Sequence, residues 1–215
     1  EREGALDSHA LLIHCIGFSD EDIAKVAKAG ASVSWCPASN LFMFNATCKI
    51  RKLLRAGVNV SIGTDSTHTG SYNLLAEARF ARETYRALYG EDLPARAVYD
   101  MLTINPARAF RMQDRVGSLE DGKLADVLVL KRRFDDPYEN LVSATSEDIE
   151  LLLMEGEPLL ATEELAGRLG AAPSGETVTI GGRKVLVKGD PDSLYREMRQ
   201  AVGFDKKLEY LPFEP

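Results

Sequence analysis

Three short polar clusters follow apolar, strand-like segments, and their side chains are of types that bind metals or transfer protons. His14 and Cys15 follow the first segment, residues 35–40 follow the second, and residues 64–68, with Asp65, follow the third. An imidazole and a carboxylate can ligate a divalent metal or act as acid and base. If the three segments end side by side, the sequence predicts a metal or acid–base cluster built from His and Asp.

The spacing of the apolar segments predicts that they do end side by side. Strands are predicted over 9–15, 31–36 and 58–62, with a helix between Ser19 and Gly30 and another over 46–56. Units of this length fit right-handed crossovers between parallel strands. In parallel α/β folds the chemistry is found at the carboxyl ends of the strands, which is where the three polar clusters fall.

The remaining sequence predicts more helices and then a change to β structure. Helices are expected over 72–89, 94–103 and 106–111, strands over 125–130 and 149–154, and a linker or short helix over 161–175. A Gly181-Gly182 turn predicts a hairpin over 178–187, because glycine accepts the positive φ of such turns. A last helix is expected over 191–202, followed by an aromatic, proline-containing tail. The chain therefore divides into regions 1–112, 113–160 and 161–215.

Each chemical candidate also has an ordinary structural explanation. Asp65 could accept backbone N–H groups in its loop, His14 could be a buried and hydrogen-bonded histidine, and His68 could be exposed. Trp35 could simply pack, and Asn40 could be a turn residue after Pro-Ala-Ser. The chain contains no phosphate-binding G-x-x-x-x-G-K-S/T loop, no G-x-G-x-x-G fingerprint and no G-x-S-x-G elbow, so these nucleotide-binding and serine-hydrolase motifs give no support.

Composition restricts the partners. The chain has 215 residues and a formal net charge of −7, which disfavours a nucleic-acid surface. No apolar run reaches the roughly 18–20 residues of a membrane span. Only 3 cysteines are present, an odd and sparse count that favours a reducing compartment, and we expect the cytoplasm. A small-molecule substrate is therefore expected, with the oligomeric state left open, a homo-oligomer included.

Several motifs are specific in combination because of their order and spacing. They are Leu12-Ile13-His14-Cys15, Cys36 to Leu41, Ala56 to Ser66, Asn105-Pro106-Ala107 and Gly117 to Asp126. Together they cover residues 9–156 and resemble the amidohydrolase superfamily. The most similar branch is the one that contains cytosine, guanine and S-adenosylhomocysteine deaminases together with chlorohydrolases.

The resemblance implies a distorted (β/α)8 barrel, of which 1–112 would be the C-terminal part, with its strands six to eight. It implies a β-sandwich over 113–160 and a divalent metal at the barrel mouth, zinc by default with iron or manganese compatible. Asp65 would match the strand-eight aspartate, which binds metal and accepts a proton from water. His14 would match the strand-six histidine, which orients water or substrate and is a metal ligand in two-metal relatives. Asn40, Trp35 and His68 would line the substrate pocket.

The chain also departs from the family pattern. The family's H-x-H pair, its strand-five histidine and a nearby glutamate have no counterpart here, so we expect a longer protein whose N-terminal part supplies them. Trp35 stands where the family often has histidine, and residues 42–45 replace a glycine-containing stretch, which makes the expected pocket wall more aromatic. Residues 161–215 lie outside the resemblance and are expected to be an extension with a hairpin and a helix.

The sequence thus predicts a metal-dependent hydrolase that acts on a C–N bond of a small molecule, with only part of its site in this chain. A non-catalytic interaction or scaffold module with a lapsed or incomplete metal site is the alternative, since an unclosed sheet leaves backbone groups available to a partner. A third interpretation is an unrelated doubly wound domain, which would have a helix-covered sheet edge at residues 9–14.

Overall fold

The computed structural model describes residues 4–204 and 211–213, so the predicted tail lies partly outside the described residues. The chain packs into two compact units. The first comprises Glu1–Lys123 and Asp136–Ser143, and the second comprises Leu124–Asp135 and Ala144–Pro215. The division into three domains at 112/113 and 160/161 stays a prediction.

Three parallel strands form the sheet of the first unit, as the sequence predicts. Their order is β1-β2-β3, with Leu12 opposite Val33 and Val33 opposite Val60. All three are shorter than predicted, β1 and β2 at both ends and β3 at its start, because the flanking residues leave the ladder to form turns and loops. The strands are β1 (Leu11–Ile13), β2 (Ser32–Trp35) and β3 (Asn59–Ile62).

The helix between β1 and β2 begins and ends where the sequence predicts. Helix α1 covers Asp20–Ala29, and the Ser19 side chain caps it by accepting a hydrogen bond from the Asp22 backbone N–H. Gly30 ends the helix in the left-handed conformation, with φ 69°. A side chain would be disfavoured at this φ, which explains the glycine.

Two helices connect β2 to β3, where the sequence predicts one. Helix α2 covers Pro37–Phe44, so the expected Pro-Ala-Ser-Asn turn is wrong. Proline suits the first helical position because its fixed φ is helical and its missing N–H would be unpaired there anyway. The second helix, α3, covers Ile50–Arg55 and begins later than the predicted residue 46.

The first unit is completed by four further helices. The long helix begins two residues later than predicted, and the helix that contains Pro106 begins at Ile104, ahead of the proline. No helix was expected over 137–143. These elements are α4 (Leu74–Tyr89), α5 (Ala95–Leu102), α6 (Ile104–Ala109) and α7 (Pro137–Ser143).

The core of the first unit lies between the sheet and its helices. Its residues come from the sheet and from α1, α3, α4 and α5 in particular, and together they form one continuous apolar cluster. The members that are fully buried, with no exposed area, are Val33, Trp35, Ile50, Leu53, Val60, Ala78, Ala81 and Val98.

The second unit contains a five-stranded antiparallel sheet in the order β4-β5-β6-β8-β7. The predicted Gly181-Gly182 hairpin is present, and both glycines have positive φ. A strand that was not predicted begins at Glu157 and pairs with this hairpin. The strands are β4 (Val127–Leu130), β5 (Ile149–Met154), β6 (Glu157–Thr162), β7 (Thr177–Ile180) and β8 (Arg183–Val187).

Among the described residues of the second unit, two α-helices agree with the sequence. Helix α8 covers Glu163–Leu169, within the region expected to be a linker or short helix, and α9 covers Pro191–Val202. In the described part of the chain, no helix combines the length and apolar character that crossing a bilayer requires.

Replacing Leu53 by alanine tests the packing of the first unit. Leu53 is fully buried on α3, so the substitution leaves a cavity and should lower the free energy of unfolding by about 2–5 kcal/mol. Leu88→Ala is the matched control, because Leu88 lies on α4 with half of its surface exposed. Urea unfolding should show a change within about 0.5 kcal/mol for the control. Equal losses for the two variants would contradict the assigned core.

Candidate active site

The carboxyl ends of β1 and β3 bring an imidazole and a carboxylate together. His14 Nε2 lies 3.7 Å from Asp65 Oδ2, and each side chain is about one-third exposed, at 32% and 31%. The backbone N–H of His14 still donates to the Ser34 carbonyl of β2, at 3.0 Å, which fixes where the chain leaves the sheet. The parallel strands therefore place these two predicted residues side by side at one edge.

Both residues occupy left-handed backbone. The φ angles are 68° at His14, 52° at Cys15 and 58° at Asp65. Residues other than glycine rarely adopt this conformation, although His, Asp and Asn do so more readily than most. Each instance costs about 1–3 kcal/mol and persists only when the surroundings hold it, as occurs at many functional sites. The turns direct both side chains to the end of the sheet.

Ser39 holds the carboxylate of Asp65. Its hydroxyl donates to Asp65 Oδ2 at 2.5 Å and lies 3.3 Å from Thr69 Oγ1, and the residue is fully buried on α2. One oxygen of the Asp65 carboxylate is thereby fixed. Ser39 was not among the predicted site residues, although it lies between the strand end and Asn40 in the Pro-Ala-Ser-Asn motif.

Asn40 is also fully buried on α2, and both ends of its amide bond within the chain. Its Oδ1 is 2.8 Å from His14 Nδ1, and its Nδ2 donates to Thr47 Oγ1 at 3.1 Å. The Trp35 indole N–H donates to the same Thr47 oxygen at 2.8 Å, and Trp35 is fully buried in the core. A substrate-binding role for Asn40 and Trp35 stays a prediction. In the described residues, Asn40 is hydrogen-bonded to His14, and Trp35 is hydrogen-bonded to the Thr47 hydroxyl that holds Asn40.

His68 lies on the exposed loop that follows Asp65. Its backbone N–H donates to Ser66 Oγ at 3.2 Å, and the described residues offer its imidazole no hydrogen bond. The loop folds back on itself at Gly70, where a Cβ atom would lie 1.8 Å from the Thr64 carbonyl oxygen. Only glycine fits this approach. A pocket role for His68 stays a prediction.

Glu77, which was not among the predicted residues, joins the first turn of α2 to the loop that follows Asp65. This residue of α4 is fully buried, and its carboxylate accepts N–H bonds from Ala38 at 3.0 Å and Ser71 at 3.2 Å. Ala38 lies in the first turn of α2, whose N–H groups lack a local cap. Burial raises the pKa of Glu77, while the hydrogen bonds from Ser71 and Ala38 oppose that rise. A charged residue on the buried face of α4, in helical spacing with Ala81, is the signal that could have revealed it.

The three thiols are buried, and none of them is suited to nucleophilic attack. Burial raises the pKa of Cys15 and of Cys36 to about 11, and that of Cys48 to about 12. Because the thiolate is the nucleophile and the soft metal ligand, these groups are almost wholly unreactive at neutral pH. The thiols act as small core residues.

The His14–Asp65 pair fits two ligands of a divalent metal. Zinc binds imidazole nitrogen and carboxylate oxygen at about 2.0–2.2 Å, so two ligands of one tetrahedral ion lie about 3.4 Å apart. The observed separation of 3.7 Å is close to that value. Within residues 4–204 and 211–213, no group of three or more His, Cys, Asp or Glu side chains could hold a metal. A complete coordination sphere needs further ligands.

Comparison with known proteins assigns the family. The sequence model of the amidohydrolase family matches residues 1–159, which is most of the chain. The chain therefore belongs to the amidohydrolase family, as the motifs predict.

The matching relatives carry deaminase names. The chain is 33% identical over 172 residues to the 5-methylthioadenosine/S-adenosylhomocysteine deaminase of Moorella thermoacetica, a match that covers 75% of this chain and 40% of the relative. It is 30% identical, with the same coverage of both chains, to the 5'-deoxyadenosine deaminase of Methanothermobacter thermautotrophicus. The chain thus spans about 40% of the length of the curated relatives it matches.

Solved structures show the same relationship. An adenosine deaminase of Xanthomonas campestris with bound zinc superposes with a TM-score of 0.76 at 24% identity, over 94% of this chain and 44% of that one. Atrazine chlorohydrolase of Arthrobacter aurescens, complexed with zinc, superposes with a TM-score of 0.66 at 27% identity, over 74% of this chain and 37% of that one. The fold is therefore the α/β architecture of part of an amidohydrolase barrel protein.

Replacing Glu77 by glutamine should change how stability depends on pH. Because the folded pKa is raised above the ordinary 4.5, the folded chain holds a proton that the unfolded chain has lost. The wild-type free energy of unfolding should therefore fall, relative to Glu77→Gln, as pH rises from 4.5 through the raised pKa, and then level off. Urea unfolding at several pH values measures this difference, and a difference that rises over this range would contradict the assignment.

The buried thiols should resist alkylation in the folded protein. With pKa values of about 11 to 12, Cys15, Cys36 and Cys48 should each react with iodoacetamide at pH 8 at least about 100-fold more slowly than after unfolding. The variant Asp121→Cys supplies an exposed thiol as an internal standard. Mass spectrometry of peptides follows each site, and rapid labelling of native Cys15 would assign it to a reactive centre instead.

Proposed function

We propose that the protein carrying this chain is a metal-dependent hydrolase that deaminates a small aminated heterocycle. One observation carries the proposal: the imidazole of His14 and the carboxylate of Asp65 face each other at 3.7 Å where parallel strands end. Membership of the amidohydrolase family and the deaminase names of the relatives support it. In the proposed reaction water replaces the amino group of the heterocycle, and ammonia leaves.

Asp65 would accept a proton from the attacking water. Its Oδ2 already accepts the Ser39 hydroxyl, so the carboxylate is held in one orientation while Oδ1 remains available. A carboxylate so placed works as a general base when the water lies within hydrogen-bond reach. The proton would then pass to the departing amino group, which leaves as ammonia.

His14 would act through Nε2, since Nδ1 is occupied by Asn40: it would either ligate the metal or orient the water or the substrate. A divalent metal held by Asp65, with or without His14, would lower the pKa of a bound water to about 7, which makes it a nucleophile at neutral pH. Zinc is the metal we propose, with iron or manganese compatible with the same nitrogen and oxygen donors.

The remaining ligands would come from sequence outside these 215 residues. On this proposal β1, β2 and β3 correspond to strands six, seven and eight of an eight-stranded barrel. β1 is an edge strand of the three-stranded sheet, so the outer edge of its backbone can pair with a neighbouring strand. Ile13 is 58% exposed, which disfavours the helix cover of a doubly wound domain. Purine nucleosides with a 6-amino group, for which the relatives are named, are the first substrates to test.

A non-catalytic module with a lapsed metal site is the second candidate. It is favoured by one observation: the described residues bring together only two metal-binding side chains. Metal content and turnover of the intact protein separate the two candidates, because a lapsed site would show neither.

The test is to express the protein with the sequence that flanks this chain in its gene and to measure bound metal and ammonia release. The substrates offered are 5-methylthioadenosine, S-adenosylhomocysteine and 5'-deoxyadenosine. Asp65→Asn removes the proton acceptor but keeps the shape and the left-handed backbone, so kcat/KM should fall by at least about 100-fold. His14→Gln should also lower kcat/KM.

Asp121→Asn is the matched control, because it makes the same chemical change at an exposed turn residue. It should leave metal content and kcat/KM unchanged. Full activity in Asp65→Asn would remove the proposed role of Asp65. A protein that binds no metal and deaminates none of the three substrates would favour the non-catalytic module.

A further inference from the structure

The hydrogen bond between Asn40 and His14 bears on which imidazole nitrogen carries the proton. A neutral imidazole holds one proton, and the nitrogen without it offers a lone pair. Asn40 presents its Oδ1 to His14 Nδ1 at 2.8 Å. A carbonyl oxygen can only accept, so in this arrangement Nδ1 is the protonated nitrogen.

The orientation of the Asn40 amide depends on Thr47, which Trp35 holds in turn. The Trp35 indole N–H can only donate, and it donates to Thr47 Oγ1 at 2.8 Å. The same Thr47 oxygen accepts the Asn40 Nδ2–H at 3.1 Å, so the amide oxygen points to His14.

Trp35 and Asn40 have no exposed area, and Thr47 is half-buried. Reversing the amide would break the bond from Asn40 Nδ2 to Thr47 Oγ1 and would turn the amide N–H donor toward His14 Nδ1. A buried polar group that loses its partner costs about 1–3 kcal/mol, so the observed orientation is favoured.

We infer that Asn40 is a positioning residue that, through the relay Trp35–Thr47–Asn40, holds His14 in the tautomer with a proton on Nδ1 and a lone pair on Nε2. That lone pair faces Asp65 Oδ2 at 3.7 Å. Two electron-rich atoms face each other there, an arrangement that a cation between them stabilises. The value of this tautomer for metal binding rests on the proposed function, whereas the tautomer itself does not.

The experiment measures the tautomer directly in metal-free protein. The protein is labelled with ¹⁵N-histidine, treated with a chelator and examined by long-range ¹H–¹⁵N NMR near pH 8.5, well above the ordinary imidazole pKa of about 6.5. His14→Gln assigns the His14 signals by their loss. The wild type should show a protonated Nδ1 and an unprotonated Nε2 at His14, and a protonated Nε2 would overturn the inference.

Variants then test whether Asn40 is the cause. Asn40→Ala removes the acceptor, so the Nε2-protonated tautomer should appear at His14, and zinc affinity measured by chelator competition should fall about 10- to 100-fold. Asn40→Asp restores an acceptor and should retain the proton on Nδ1. Thr47→Val frees the amide to reverse and should give a mixture of the two tautomers.

Asn59→Ala is the matched control. Asn59 donates its amide to Ser32 Oγ at 3.0 Å and to the Asn105 carbonyl at 2.9 Å, at the opposite end of the strands. This control should leave the His14 spectrum and the zinc affinity unchanged. An unchanged His14 tautomer in folded Asn40→Ala would also overturn the inference. Because the NMR readout needs no turnover, a failure of the proposed deamination would leave it intact and be recognised separately.

Discussion

Parallel pairing of β1, β2 and β3 brings the carboxyl ends of three strands to one edge of a sheet, and the candidate site depends on that alignment. His14 and Asp65 are 51 positions apart in sequence, yet the strand register and two left-handed turns place their side chains 3.7 Å apart. A shift of one residue in either strand would turn these side chains to the other face of the sheet. The position of the His14–Asp65 pair is therefore specified by the same backbone hydrogen bonds that form the sheet.

Buried polar side chains connect the strand ends to the segments around them by hydrogen bonds. Ser39, Asn40 and Glu77 are all fully buried, and each bonds a group from a different strand end or loop. In the low dielectric of the interior such bonds are strong, and leaving one unpaired is costly. The partly exposed side chains of His14 and Asp65 thus rest on a layer of buried polar groups. Ser39, Asn40 and Glu77 contribute to positioning, whereas His14 and Asp65 face the solvent.

The sequence predicted the parallel strands, the capped helix α1 and the His14–Asp65 pairing because each has a local signature. Alternating helical and strand-like segments revealed the topology, and the polar residues at strand ends revealed the pair. Helix α2 was missed because Pro-Ala-Ser-Asn is typical of both a turn and a helix beginning at proline. Glu77 was missed because its partners, the N–H groups of Ala38 and Ser71, are defined only after folding.

The hydrogen bonds of Asn40 could not be predicted from the sequence either, because their partners are also defined only after folding. That Asn40 bonds His14 and Thr47, with no exposed area left for a substrate, depends on the packing of α2 against the sheet. A motif states which residue types are present, whereas the partners of a buried amide are set by three-dimensional contacts. The resemblance to amidohydrolases identified the important segment, and the structure distinguishes within it the residues that face solvent from those that support them.

The left-handed backbone at Asp65, with φ 58°, also restricts how this position can change during evolution. Glycine, asparagine and aspartate tolerate this conformation best, whereas β-branched residues are strongly disfavoured. Asn and Gly are the substitutions that fit this backbone without strain, and both remove the carboxylate. The substitutions that least disturb the fold at this position therefore remove the proposed proton acceptor. Gene duplicates of such a protein can lose catalysis while remaining stable, and so become available for binding roles.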